Sequence, residues 1–316
     1  MDKAILNMEE KVALEILVED DAAAMASMIG KLYAIKRPPE YYAWHCFQSP
    51  DLTVTVGLKS RGELGGVFSM QKRRLNNDLL CGQANHLNIA AELQGKGYFS
   101  KLGEKAMHRF KDIGMVCVFA NKQAKPACES SLGMKTIGII PAMVLNVNGI
   151  TDDSGANNTC KPISEDTVFP SCQEDKDIIM FKYLSSHRSW RYAKHPMYSY
   201  YIVYIDSGEY AIIKKFSDPQ TRVSLGDIVD LECPLNDKEK LHKIIKAASW
   251  HLKQQGVSTI TCWAVPGGVV NQVMKDIGFR PAGHETYFCI KVLRPEYDHL
   301  CDFSRWHLRM ADATNY

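Results

Sequence analysis

The chain lacks an excess of either charge, a long apolar run and any closely spaced pair of cysteines. Lysine and arginine number 38 and aspartate and glutamate 36, for a formal net charge of +2. A dedicated nucleic-acid binder carries a strong basic excess, so nucleic acid is not an expected partner. No apolar stretch approaches the roughly 18–20 residues needed to cross a bilayer. The opening MDKAILNMEEKVALEILVEDD mixes acids and lysines among its apolar residues. It therefore does not read as a secretory signal, which needs an unbroken apolar stretch. A cytoplasmic protein without a membrane partner is expected.

The ten cysteines stand at 46, 81, 117, 128, 160, 172, 233, 262, 289 and 301. None are at C-x-x-C spacing, so neither a zinc ribbon nor a small disulfide scaffold is expected. Several lie inside apolar runs such as MVCVFA and TITCW, as buried free thiols do. No metal is expected.

With 316 residues, 46% apolar and 23% charged, the chain has about twice the length of a typical domain and a globular composition. Residues 148–176 are rich in Gly, Asn, Asp, Ser, Thr and Pro and read as a linker or long loop. The expected division is a domain over 1–150, a linker over 151–176 and a domain over 177–316.

The two halves resemble each other. Trp44…Pro50 and Trp190…Pro196 share a register. Gly114 and Gly256 each precede an apolar strand, and Gly133 and Gly278 each follow a helical stretch. The offsets are 190 − 44 = 146, 256 − 114 = 142 and 278 − 133 = 145. Three landmarks in order at near-constant offset indicate a duplicated unit. Each half reads as βααβββαβαβ, which predicts a mixed α/β sheet flanked by helices.

The sharpest local signal is NHLNIAAELQGKGYFSKLGEKAMHRFKDIG. A strand ending near Ala91 leads into Gln94-Gly95-Lys96-Gly97-Tyr98-Phe99, then an amphipathic helix carrying Phe99, Leu102, Ala106, Met107 and Phe110 on one side and closing at Gly114. Strand, glycine turn and helix start together offer unpaired amides and a positive dipole end, which suit a pyrophosphate. A Walker A loop is absent, and Tyr98, Phe99 and Ser100 break the third-glycine spacing of a dinucleotide fingerprint.

Here the sequence resembles the GNAT acyltransferase superfamily, whose acyl-CoA loop reads [Q/R]-x-x-G-x-[G/A]. Gln94 and Gly97 match the first and fourth positions, and Phe99 replaces the small sixth residue. Q-G-K-G-Y-F-S-K-L, Trp190-Arg191-Tyr192 through His195-Pro196 to Tyr198, and the tail from Trp306 through Asp312 and Thr314 to Tyr316 are similar to bacterial members of surface-polysaccharide clusters. These resemble acyltransferases acting on dTDP-3-amino-3,6-dideoxyhexoses. The resemblance implies two tandem GNAT-like domains, each a mixed, mostly antiparallel sheet. It implies transfer of an acetyl or short acyl group, such as 3-hydroxybutanoyl, from acyl-CoA to a sugar amine for O-antigen or capsule synthesis. The alternatives are a GNAT enzyme for another amine, a non-catalytic CoA-binding module and an aminoacyl-tRNA-dependent transferase, the last disfavoured by the near-neutral charge.

By the same resemblance, acyl-CoA is expected on Asn88, Ile89, Ala91, Gln94, Gly95, Lys96, Gly97, Tyr98, Phe99, Ser100 and Asn121. The Ile89 amide is the expected oxyanion donor. Asn121 reads equally as a pantetheine ligand and a helix cap. The position eleven residues before the loop, a frequent site of the general base, holds Gln83, which cannot take a proton. His86 on the same strand is the candidate base, since imidazole titrates near neutrality. Strand alternation would place His86 and Asn88 on one face and Gln83 and Asn85 on the other. Asn85, Arg188, Arg191 and Tyr192 are candidates for the acceptor, with Arg191 suited to a diphosphate. The second half has no glycine turn. The matching position falls in Asn236-Asp237-Lys238-Glu239-Lys240, where acids would repel a phosphate.

Overall fold

A computed structural model describes residues 12–33, 36–151, 157–170, 175, 177–205, 208–218 and 221–314. Tyr316 of the tail motif and Ser207 of the second-half turn lie outside the described residues.

In chain order the elements of the first half are β1 (Val12–Ile16), α1 (Ala22–Gly30), α2 (Pro39–Cys46), β2 (Thr53–Ser60), β3 (Glu63–Arg74), β4 (Leu80–Ile89), α3 (Tyr98–Met107), β5 (Met115–Ala120), α4 (Lys125–Leu132) and β6 (Lys135–Asn146). Then follow β7 (Asn158–Pro162), α5 (Ser185–Arg188), β8 (Tyr200–Ile205), β9 (Tyr210–Ser217), β10 (Ser224–Glu232), α6 (Lys238–Gln254), β11 (Thr259–Trp263), α7 (Val269–Ile277) and β12 (Arg280–Val292). The run β2-β3-β4-α3-β5-α4-β6 recurs as β8-β9-β10-α6-β11-α7-β12. Gly133 and Gly278 end α4 and α7 in the left-handed conformation, at φ +65° and +115°. Glycine adopts it without the Cβ penalty.

The chain forms two compact units, Met1–Gln71 with Ala84–Lys111, and Lys72–Gln83 with Asp112–Tyr316. These units and the sequence repeat cut the chain at different places. The first unit carries strands in the order β1-β2-β3-β4. Its core includes Leu58, Val67, Phe68, Leu93, Leu102 and Ala106, all buried. The helix α3 ends at Met107, seven residues before Gly114, and Phe110 is buried beyond its end.

In the second unit the start of β4 pairs in parallel with β5, Cys81–Gln83 against Met115–Cys117. The order continues β5-β12-β6-β11-β10-β9-β8-β7. Among the described strands β4–β5 and β10–β11 pair in parallel, at matching places in the two repeats. The repeats exchange their last strands: β12 inserts between β5 and β6, and β6 pairs with β11. This exchange ties β5 and β6 to the second repeat through the backbone hydrogen bonds of the sheet.

The polar stretch 148–176 contains β7, antiparallel to β8 from Asn158–Ile205 to Pro162–Tyr201. Its turn-rich composition concealed a five-residue strand because β7 is largely exposed and carries no apolar alternation.

Candidate active site

The glycine turn of the first repeat is built as a cradle. Gly95 and Gly97 both have left-handed backbones, at φ +73° and +75°, and a Cβ at either would meet open space. Gly97 forms the N-terminal boundary of α3, and no side chain caps that end. The amides of Gly95, Gly97, Tyr98, Phe99 and Ser100 make no hydrogen bond to any described residue. Lys96 is exposed beside them. Gln94 folds back, donating its Nε2 hydrogen to the Ile89 carbonyl at 2.9 Å and tying the turn to the end of β4. Ala91 opens a short 3-10 turn, Ala91–Leu93, that joins strand to loop. Phe99, in place of a small residue, is half-buried with its ring edge-on to Phe68, centroids 6.1 Å apart. It therefore serves the core of the first unit.

In the second repeat the corresponding helix start is already occupied by an anion. The Asp237 carboxylate accepts from the Lys240 amide at 3.0 Å and caps α6. A capping carboxylate satisfies the orphan amides that a phosphate would use.

On β4, His86 has φ +49°, a left-handed backbone rare outside glycine. This residue interrupts the pleat. Buried positions run without alternation from Cys81 to Asn85, then His86 and Leu87 are half-buried, then Asn88 and Ile89 are buried. The expected two-face division of Gln83, Asn85, His86 and Asn88 therefore does not carry through His86. β10 has an irregularity at the matching place, between Ile228 and Asp230. The offset, 229 − 86 = 143, falls within the range of the sequence landmarks.

His86 Nε2 lies 3.1 Å from His45 Nδ1, and the rings meet edge-on at 4.8 Å and 87°. Tyr41 and Tyr42 enclose the pair, with ring centroids 6.0 and 5.5 Å from that of His86. Burial and the nearby Arg37 charge lower the His86 pKa to about 3. Burial pushes the Cys46 thiol up to about 12, against hydrogen bonds with Ser69 and Thr55 that lower it. Asn88 is buried and accepts from the Tyr33 hydroxyl at 2.8 Å. Asn85 is also buried.

Three candidates expected at the acceptor stand in a buried network of the second unit. Arg188 pairs with Glu232 at 2.5 Å, Tyr192 donates to Asp230 at 2.7 Å, and Arg191 donates to the Ala313 carbonyl at 2.6 Å. Arg309 joins them, at 3.1 Å from Asp230, 2.9 Å from Glu232 and 3.3 Å from Asp312. Burial opposes the charge of Arg309, but Asp230 and Asp312 more than offset it and raise its pKa. Trp44 and Trp190, the landmarks of the repeat, are both buried.

Gln83 is buried, accepting from Arg73 at 2.9 Å and donating to the Asp312 carbonyl at 2.6 Å. Asn121 is exposed, and its Oδ1 accepts from the amides of Gln123 and Ala124 at 3.0 and 2.8 Å. Sequence reasoning passed over His45. Its only signal was a His-Cys pair beside the landmark tryptophan, with nothing local to link it to a histidine 41 residues away.

The fold is that of the GNAT acyltransferases. A GCN5-related N-acetyltransferase from Anabaena variabilis matches with a TM-score of 0.63 at 8% identity, over 90% of this chain and 73% of that one. Saccharomyces cerevisiae N-myristoyltransferase with bound myristoyl-CoA matches with a TM-score of 0.60 at 11% identity, over 96% and 86%. A tandem GNAT protein from the clavulanic acid biosynthesis pathway matches with a TM-score of 0.56 at 13% identity, over 90% and 99%. No protein-family model and no curated protein sequence matches the chain.

Proposed function

We propose that the protein is an acyl-CoA-dependent N-acyltransferase that binds one acyl-CoA per chain, its diphosphate on the glycine turn Gln94–Ser100. The observation that carries this reading is the set of amides at Gly95, Gly97, Tyr98, Phe99 and Ser100 that meet no partner among the described residues. They stand at the positive end of a helix that lacks a side-chain cap. Several convergent amides and the helix dipole stabilise an anion without any lysine being essential. The solved neighbour with bound myristoyl-CoA supports the choice of ligand. The Asp237 cap on α6 supports a single site.

The chemistry is attack of an amine on a thioester. The protein's part is to position the two, to stabilise the oxyanion and to let a proton leave. In this reading the Ile89 amide faces the thioester oxygen, with Gln94 fixing the end of the strand through the Ile89 carbonyl. The amine must arrive neutral. A sugar amine flanked by hydroxyls loses its proton more readily than a lysine, and water suffices to remove it.

The acceptor in this reading is a nucleotide-linked amino sugar, dTDP-3-amino-3,6-dideoxyhexose being the favoured class, and the product serves surface-polysaccharide synthesis. Its support is the likeness of Trp190–Tyr198 and of the C-terminal tail to such enzymes. Asn85 and Asn88, polar and buried on β4, are the candidates to orient it. Arg188, Arg191 and Tyr192 act as the frame of the second repeat, since each is buried and bonded within the protein, to Glu232, the Ala313 carbonyl and Asp230.

Calorimetry with CoA and a thiol-release assay over acyl-CoA donors and amino-sugar nucleotides test the proposal. One site per chain is expected, lost in Gly97→Glu, which puts a carboxylate in the cradle. Two sites, or unchanged affinity in the variant, would refute the placement. Inert amino-sugar nucleotides beside rapid acylation of peptides or polyamines would refute the acceptor.

A further inference from the structure

His45 and Cys46, at the end of α2, meet His86 at the interruption of β4. Each offers a ligating atom, and the three atoms lie within 4.8 Å of one another. We propose that this cluster binds a soft monovalent cation, Cu(I), through His45 Nδ1, Cys46 Sγ and His86 Nε2.

The donor set comes first. Two imidazoles and a thiol, with no carboxylate in the cluster, select thiophilic d10 ions over magnesium, calcium or manganese. The spacing follows. Metal–nitrogen bonds of about 2.0 Å and metal–sulfur bonds of about 2.3 Å put the ligand atoms of a three-coordinate centre roughly 3.5–3.7 Å apart. The nitrogens here are 3.1 Å apart, and Cys46 Sγ is 4.0 Å from His45 Nδ1. The widest separation in the cluster is no more than 4.8 Å, so closure takes side-chain movements on the order of 1 Å.

Charge and water then choose the ion. Arg37 donates to the Tyr41 hydroxyl at 2.7 Å and stacks 4.4 Å from the centre of its ring. That ring lies 6.2 Å from His45 and 6.0 Å from His86, centre to centre. A dication with one thiolate would leave a net positive centre in a buried site beside a guanidinium, whereas Cu(I) with one thiolate is neutral. Tyr41, Tyr42 and Trp44 wall the cluster with rings. Such a wall disfavours the bound water that a fourth zinc position needs, and three-coordinate Cu(I) does without it. The Ser69 and Thr55 hydroxyls hydrogen-bond Cys46, as outer partners of a metal thiolate do.

The step balances without redox chemistry. The Cys46 thiol gives its proton to solvent as the sulfur–copper bond forms. The imidazole that donates in the His45–His86 hydrogen bond moves its proton to its other ring nitrogen, so both facing nitrogens present lone pairs.

The test is anaerobic titration of the reduced, full-length protein with Cu(I) from a competing chelator. It is followed by the ultraviolet thiolate-to-copper band and by X-ray absorption of the bound metal. The chain has ten cysteines, so the reading is the difference between the wild type and Cys46→Ser or His45→Gln. One Cu(I) with two nitrogen neighbours and one sulfur is expected, bound at least tenfold more weakly in each variant. Gly97→Glu should bind Cu(I) unchanged, which separates this site from the acyl-CoA reading. Equal uptake by wild type and Cys46→Ser, sulfur-only coordination, or binding of Zn(II) without Cu(I) would overturn the proposal.

Discussion

Gln83 donates its Nε2 hydrogen to the backbone carbonyl of Asp312 at 2.6 Å, across 229 residues of sequence, while its Oε1 accepts from Arg73. Gln83, eleven residues before Gln94, is thus a clamp on the C-terminal segment. Gln83→Glu would leave the buried Asp312 carbonyl without its donor. A loss of about 1–3 kcal/mol is expected in urea unfolding, with no rise in kcat. A more active variant would show that the position can still serve as a base.

Arg191→Ala should act through folding. The side chain holds the Ala313 carbonyl at 2.6 Å inside the second unit. Removing it should lower the melting temperature, with KM for the acceptor unchanged in the folded fraction. A selective rise in the KM of a sugar nucleotide, without loss of stability, would instead place Arg191 on the diphosphate.

Asn121→Ala removes the acceptor for two amides at the start of α4. The cost expected is about 1 kcal/mol, the usual value of such a cap. Steady-state rates per folded molecule should stay within about twofold of wild type, since a hydrogen bond used only in the transition state would cost tenfold or more. A tenfold fall at full stability would move Asn121 into the pantetheine site.

His307 should make the protein acid-labile. Burial and the Arg309 charge lower its pKa to about 3, from 6.5 for the free side chain. Below pH 6.5 the unfolded chain takes up a proton that the folded chain refuses, so stability falls as pH drops from 6.5 towards 3. At pH 5 the linkage amounts to about 2 kcal/mol. Denaturant midpoints of wild type and His307→Gln at pH 7.5 and pH 5 check this. The variant should lose less on acidification, and equal losses would show that His307 is not the group responsible.

Local chemistry made much of the molecule legible in advance. Glycines at 95, 97, 133 and 278 mark left-handed positions because only glycine takes them without penalty. The Gln94–Phe99 turn and the apolar face of α3 are short-range patterns, as is the repeat with its offsets near 145. The acids near Asp237 are equally visible in the sequence, and one of them, Asp237, caps α6.

Other features depend on residues that meet only in the folded chain. A histidine carries no mark of a left-handed backbone, so the interruption of β4 at His86 leaves no local signal in the sequence, where the strand pattern runs straight through. His45 reaches His86 over 41 residues, and Arg191 reaches Ala313 over 122. The exchange of β6 and β12 leaves no trace in either strand, because each has the same composition whichever neighbour it pairs with. Periodicity and turn chemistry specify how a segment folds. Which segment pairs with it, and which buried polar groups satisfy one another, is decided by the packing of the whole chain, where every buried donor must find an acceptor.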